Sequence, residues 1–353
     1  MRYIQSFQND AAIQGAVDSN LLGHPYVALD DELHKIDWDS KGGGPDYLHM
    51  PLTIEMLEDG TLYFNDDRTS WNYTKGTRWY SLNGGELIEL NVSSMSLLSG
   101  DKVQLYGRGL TSNPADGPNG RCFRIRASGK HNVYGNVFSL LYDLIDYSTL
   151  RDFSWVPSGF GDGSYAVYGL FSGDTQLVSA ENLMLPATAL TASCYRCMFQ
   201  ANPNADVNMV GVPQLPATIL ADSCYKYMFQ GRNGITTPPA LPATTLAASC
   251  YAQMFLGCTS LTKSPELAVT TVPGSGETGA YYAMFSGCTS LAEVTCYAKI
   301  TANVSAQRPT RYWLAQVPYG STASPRKFYT KSDCRWSTGS ADGIPTGWTR
   351  VNV

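Results

Sequence analysis

The chain has 353 residues, of which 43% are hydrophobic and only 16% charged, against a typical ~25%; it carries 22 tyrosines and a net charge of −5. That length exceeds one ordinary core and fits two or three domains. The acidic balance excludes a surface built to neutralise nucleic-acid phosphates, and four histidines leave little material for a histidine-rich metal or proton-transfer site.

The first residues, Met1 to Asp10, hold one basic side chain and no apolar run, so they do not read as a secretory signal. No stretch approaches the ~18 apolar residues of a membrane span, so no membrane insertion is expected. Asn9-Asp10 can cap a helix whose Ile13, Val17 and Leu21 fall at i, i+4 and i+8, one apolar stripe. Two short extended pieces follow, Tyr26–Leu29 and Leu33–Ile36, and Lys41-Gly42-Gly43-Gly44-Pro45 reads as a hinge. A segment of this size holds no core alone, so residues 1–45 are expected to be an anchor and hinge, with Ile13, Val17 and Leu21 seated against another surface.

Residues 46–153 alternate with period two. Leu52–Met56, Thr61–Phe64, Arg78–Leu82, Lys102–Tyr106 and Cys122–Arg126 are strand candidates, separated by turns such as Glu58-Asp59-Gly60 and Asn83-Gly84-Gly85. Short strands at this spacing predict an antiparallel β-sandwich.

An internal repeat fills 154–295. Phe171, Phe199, Phe229, Phe255 and Phe285 close related segments at spacings of 28, 30, 26 and 30, with Leu-Pro-Ala-Thr anchors at 185, 215 and 241 between them. Counting back from each Phe, positions −5, −4, −1 and 0 are Cys or Ala, Tyr, Met and Phe in nearly every copy, which predicts one buried stripe of a short helix. Each unit therefore reads as a helix followed by a turn and a short strand. About five units of 26 residues stack into an α/β solenoid, and 296–353, with Trp313, Trp336 and Trp348, reads as its C-terminal cap. The expected fold class is mixed and multi-domain.

Positions −3 and −2 fall opposite the stripe. They vary and are expected to face solvent, so Tyr168, Arg196, Lys226, Tyr227, Gln253 and Tyr282 form a candidate binding face suited to a sugar or protein surface. Trp71, Tyr73, Trp79 and Tyr80 are further aromatic candidates in the sandwich. Cys194-Tyr195-Arg196-Cys197 is the one C-x-x-C; a zinc site needs a second ligand pair, and Cys224 and Cys250 repeat the place of Cys194, so these cysteines read as structural. The clusters Asp30-Asp31-Glu32, Asp37-Trp38-Asp39 and Asp66-Asp67 read as solvated turns, without EF-hand spacing or a G-x-S-x-G elbow. No catalytic residue, cofactor or metal ligand is expected, and the chain is not read as an enzyme.

The segments Phe-Leu-Gly-Cys-Thr-Ser-Leu-Thr (255–262), Phe-Ser-Gly-Cys-Thr-Ser-Leu (285–291) and Leu-Pro-Ala-Thr-Thr-Leu-Ala-Ala-Ser-Cys-Tyr (241–251) resemble BspA-type leucine-rich repeats. Such repeats occur in surface proteins of gut Bacteroidales and in virion proteins of their phages, crAss-like and relatives. The resemblance spans roughly 165–295 and is broken after Phe199 by Gln200–Asp206. It implies a structural virion protein, a head or tail fibre. Residues 1–41 would join other virion proteins, and the solenoid would meet a host-surface glycan or protein; a homotrimer is the implied state. The absence of a leader in the sequence agrees with assembly in the host cytoplasm. The alternative is an exported bacterial cell-surface adhesin whose signal peptide is missing from this sequence.

Overall fold

The computed structural model describes residues 46–65, 78–107, 123–141, 147–153, 163–201, 209–274, 276–299, 309–320, 325–340 and 342–353. The anchor helix expected around Ile13, Val17 and Leu21 lies outside the described residues, as do Trp71 and Tyr73.

Two antiparallel layers begin the described chain. In the first, β1 (Leu52–Met56) is flanked by β6 (Lys102–Gly107) and β8 (His131–Asn136), and the layer continues through β3 (Arg78–Leu82) to β4 (Leu87–Glu89). In the second, β2 (Gly60–Asn65) lies between β5 (Ser94–Leu97) and β7 (Arg124–Ala127). The period-two pattern sets which side faces in: Ile54 sits opposite Val103 and Val133, all three buried, and Leu62 and Ile125 meet them from the other layer.

From residue 163 onward the chain winds in coils. One side of each coil is a ribbon of consecutive tight turns, spanning 165–173, 193–201, 223–231, 249–257, 279–287 and 310–316. Within a ribbon, alternate N–H groups serve two purposes. Arg196, Met198 and Gln200 donate three residues back, to the carbonyls of Ser193, Tyr195 and Cys197. The residues between them, Tyr195, Cys197, Phe199 and Ala201, donate to Cys224, Lys226, Met228 and Gln230 of the next coil at 2.8–3.1 Å. In this ribbon every backbone donor from Tyr195 to Ala201 is thus engaged, alternately across coils and along the chain.

The side chains follow with period four, two in and two out. Phe171, Phe199, Phe229, Phe255 and Phe285 stack in a file with centroids 5.6–5.7 Å apart. Tyr195, Tyr225, Tyr251 and Tyr281 form a second file at 5.8–6.3 Å that ends on Trp313 at 6.2 Å. These separations are those of offset-stacked rings, so the apolar area and the ring quadrupoles favour the same register.

The opposite side of the coils is parallel sheet. β8 pairs with β9 (Leu177–Ser179) and β10 (Leu183–Met184). Farther along, β11 (Lys263–Leu267), β12 (Glu293–Cys296), β13 (Lys327–Thr330) and β14 (Thr349–Asn352) stack in that order. The coils between β10 and β11 carry Pro213, Pro216, Pro238, Pro239 and Pro242, which have no N–H to give a ladder, and contribute two isolated bridges, Ser179 to Gly211 and Ala189 to Ile219, in place of strands. At the other flank Ile125 of β7 donates to the Leu170 carbonyl and Arg126 Nε to that of Ser172. Each layer of the sandwich therefore continues into one side of the solenoid, and one hydrophobic cluster runs from Leu52 to Trp348.

The expected fold class is corrected in three respects. First, among the described residues there is no α-helix; short 3-10 turns at Val137–Leu140, Tyr147–Thr149 and Gly276–Thr278 are the helical geometry present, and the molecule is mostly β. Over six residues a period of four is indistinguishable from 3.6, which is why the repeat reads as a helix. Second, the shared core joins what reads as separate domains. Third, the coils continue past 295: Tyr281, Ala283, Phe285 and Gly287 donate to Pro309, Arg311, Trp313 and Ala315. The stack ends where Asp342 Oδ1 accepts the Tyr312 N–H at 2.7 Å and Trp336 stacks on Trp313 at 5.0 Å.

A column three residues after each closing Phe binds the coils from inside. Cys258 and Cys288 donate their thiols to the carbonyls of Phe229 and Phe255, both at 3.1 Å. Arg232 holds the same place one coil earlier. Its Nε donates to Phe199, Nη1 to the Asp174 carbonyl and Nη2 to Phe171, so one fully buried guanidinium spans three coils. Burial pulls it down to about 10, still protonated at neutral pH.

Candidate functional site

The outward pairs of successive ribbons lie side by side because each coil repeats the backbone of the last. On the second to fourth coils the pairs are Arg196-Cys197, Lys226-Tyr227 and Ala252-Gln253; on the fifth and sixth they are Tyr282-Ala283 and Arg311-Tyr312. Arg196 and Lys226 both lie over the ring of Tyr227, at 5.6 and 5.4 Å from its centroid. Gln253 lies beside the Tyr227 side chain. Tyr282 packs edge-on against Tyr312 at 6.3 Å, and Arg311 covers that ring at 4.7 Å.

Of the six residues expected on this face, Arg196, Lys226, Tyr227, Gln253 and Tyr282 are half-buried with one side to solvent. Tyr168 is not: it is 7% exposed and forms a small cluster with Cys197, closed by Tyr165 and Tyr227. Three residues of the face are absent from the sequence reading. Tyr165 lies four positions before Gly169 in the same ribbon, and Arg311 and Tyr312 belong to the sixth. Alignment of Arg311-Tyr312-Trp313-Leu314 with Tyr282-Ala283-Met284-Phe285, at a spacing of 29, is the signal for the last two.

The charges here are unbalanced. Among the described residues neither Arg196 nor Lys226 has a carboxylate within ion-pair distance, and Arg196 Nε is buried without a hydrogen-bond partner. Burial lowers the Lys226 ammonium from its ordinary value, and Arg196 repulsion adds to this more than Glu277 opposes it. Burial raises the Cys197 thiol, with Arg196 the leading opposing influence and Arg124 a smaller one. Two cations, Arg196 and Lys226, therefore converge on this part of the face, and the exposed carboxylate of Glu277 opposes them only in part.

The backbone is also unusual there. Position −2 has a left-handed φ in every coil: 61° at Gly169, 57° at Cys197, 63° at Tyr227, 56° at Gln253, 47° at Ala283 and 59° at Tyr312. Glycine adopts this region without penalty, yet five of six coils place a side chain on it.

Two other constellations fall away from this face. Cys194, Cys224 and Cys250 form an inward column; all three are unpaired and buried, and burial raises their thiols, which suits packing and not nucleophilic or metal chemistry. His131 Nε2 lies 3.0 Å from Asp174 Oδ2, but both side chains are fully buried at the junction of sandwich and solenoid, where no substrate reaches them. Among the described residues no His, Cys, Asp and Glu group has metal-ligand geometry, and no helix is long and apolar enough to cross a membrane. In comparisons with family models, curated proteins and solved structures, the chain matches none.

Proposed function

We propose that this protein is a display scaffold whose turn-ribbon face attaches to a surface ligand. The observation that carries this reading is the array Arg196, Lys226, Tyr227, Gln253, Tyr282, Arg311 and Tyr312, held half-exposed on rigid, hydrogen-bonded coils. Flat amphipathic rings beside cations, on a scaffold that loses little conformational entropy on binding, are the composition of binding hot spots. The likeness of the repeats to BspA-type repeats supports a virion fibre as the setting, with residues 1–41 as the attachment to the particle and a host-surface glycan or protein as the ligand. A homotrimer is the proposed assembly.

Mass spectrometry of purified phage particles tests the setting, and binding of fluorescent purified chain to gut Bacteroidales cells tests the attachment. Recovery from particles together with saturable cell binding is expected. A chain found on bacterial envelopes and absent from particles would overturn the virion setting in favour of an exported adhesin. No binding to any strain would overturn the attachment.

A further inference from the structure

The centre of the ribbon face has a feature that adhesion in general does not require. Arg196 and Lys226 come from adjacent coils, are half-buried with 5.6 and 5.4 Å to the centroid of one Tyr227 ring, and among the described residues have no carboxylate within ion-pair distance. Two like charges held this close repel, and their partial desolvation costs more, unless an anion comes to lie between them. Among the described residues Arg196 Nε is buried with no hydrogen-bond partner, so its desolvation is not offset within the chain. Tyr227 and Gln253 extend the same spot with a ring face and an amide, both on left-handed residues (φ 63° and 56°) where the first coil has Gly169.

We propose that Arg196, Lys226, Tyr227 and Gln253 form a binding site for an acidic saccharide, a sugar bearing a carboxylate or sulfate. The anion lies between the guanidinium and the ammonium, the C–H face of the ring stacks beside Tyr227, and Gln253 meets a hydroxyl. A saccharide fits better than an acidic peptide because the cations bracket an aromatic face and not an extended backbone edge: the ribbon's N–H groups are already taken within and between coils. This inference rests on the display reading and names its ligand class.

The test is isothermal titration of the full chain with oligogalacturonate, dextran sulfate, neutral maltoheptaose and polyglutamate, alongside binding to whatever cells the chain attaches to. The expected result is binding to the two acidic saccharides, none to maltoheptaose, weakening with salt, and a loss of about tenfold or more in each of Arg196→Gln and Lys226→Gln. Both variants should keep the wild-type melting temperature, and Tyr227→Leu should weaken the saccharide more than an equally charged polyglutamate. Unchanged affinity in both charge variants, or polyglutamate bound more tightly than either acidic saccharide, would overturn the inference. Cell attachment that persists without any acidic-saccharide binding sinks the ligand class and leaves the display reading standing, whereas loss of all attachment sinks the display reading itself.

Discussion

At Gln253 the sign of one substitution separates two folds. A mid-helix Gln→Gly change costs ~1 kcal/mol, but Gln253 has φ 56°, where an L-residue is strained by about 1–2 kcal/mol and glycine is not. Gln253→Gly should therefore raise thermal stability, by up to about 1 kcal/mol once the added freedom of the unfolded chain is subtracted. Gly287→Ala is the converse: φ is 76° and the added methyl would meet Gly257 Cα at 3.5 Å, an ordinary van der Waals contact, so its cost of order 1–2 kcal/mol is backbone strain. Thermal melts of both variants decide it, and a destabilised Gln253→Gly would end the turn-ribbon account. The inward thiols give a second residue-scale prediction. Burial pushes Cys224, Cys258 and Cys296 up to about 12 from an ordinary 9.0. A thiol whose folded value is raised is neutral in both states below the unfolded value, so its stabilising contribution is complete there. Above about pH 9 the unfolded chain gains by ionising, and stability falls until about pH 12. Urea melts from pH 7 to 11 should show a steep alkaline decline, and the native thiols should resist alkylation at pH 8 until denaturant is added.

At the scale of an element, the second coil explains Arg232. Phe229 and Phe255 have their carbonyls capped by the cysteine of the following coil, but after Phe199 the sequence departs from Gly-Cys-Thr-Ser-Leu, and the cap for both Phe171 and Phe199 comes from Arg232. Arg232→Met keeps most of the volume but strips three carbonyls of their donor and leaves the buried His131–Asp174 pair without its neighbouring cation. A loss of about 3–5 kcal/mol is expected, against about 1 kcal/mol for Cys258→Ala, and a cost below about 1 kcal/mol for Arg232→Met would refute the bracing role. The same element shows what was readable beforehand. Strand positions such as Leu52–Met56 and Arg78–Leu82 follow from alternation, because period two has no competitor. The repeat's inward stripe is correct in its members, Cys, Tyr, Met and Phe, and wrong in its backbone, since six residues do not separate 3.6 from four. The deciding residue lies farther out: Leu246 is nine positions before Phe255, about 180° away on a helix, yet it is buried with it, as a period of four requires. Leu190 repeats that relation to Phe199. The cation pair over Tyr227 is legible only as outward positions, because which coils are neighbours, and at what stagger, depends on hydrogen bonds between segments about thirty residues apart.

For the whole molecule, the shared core sets what can be removed. Stability in a stack is a sum of coil terms and interfaces between neighbours, so an internal coil is dispensable if its neighbours can meet in register. Deleting 256–285, the 30 residues from one closing Phe to the next, joins Phe255 to Ser286 and Gly287. Tyr251, Gln253 and Phe255 would then donate to Pro309, Arg311 and Trp313, the acceptors now used by Tyr281, Ala283 and Phe285, and β12 would follow the coil that β11 follows now. Arg232 and the Arg196–Lys226–Tyr227 cluster are untouched. This deletion should give a soluble chain with a single, lower-temperature melting transition and, because Glu277 leaves with the deleted coil, an anion affinity at that cluster that is kept or raised. Deleting 256–287 instead removes Gly287 and carries Cys288 away from the Phe229 carbonyl, so it should aggregate or melt far lower. The sandwich gives the complementary case: β8 and β7 carry the first coil on both of its sides, so a chain starting at residue 163 exposes Phe171, Leu177 and Leu183 and should not fold alone. Size-exclusion chromatography and calorimetry of the three truncations check this directly. If the two internal deletions behave alike, the coil is not the unit of stability; if the solenoid folds without the sandwich, the two are separate domains after all.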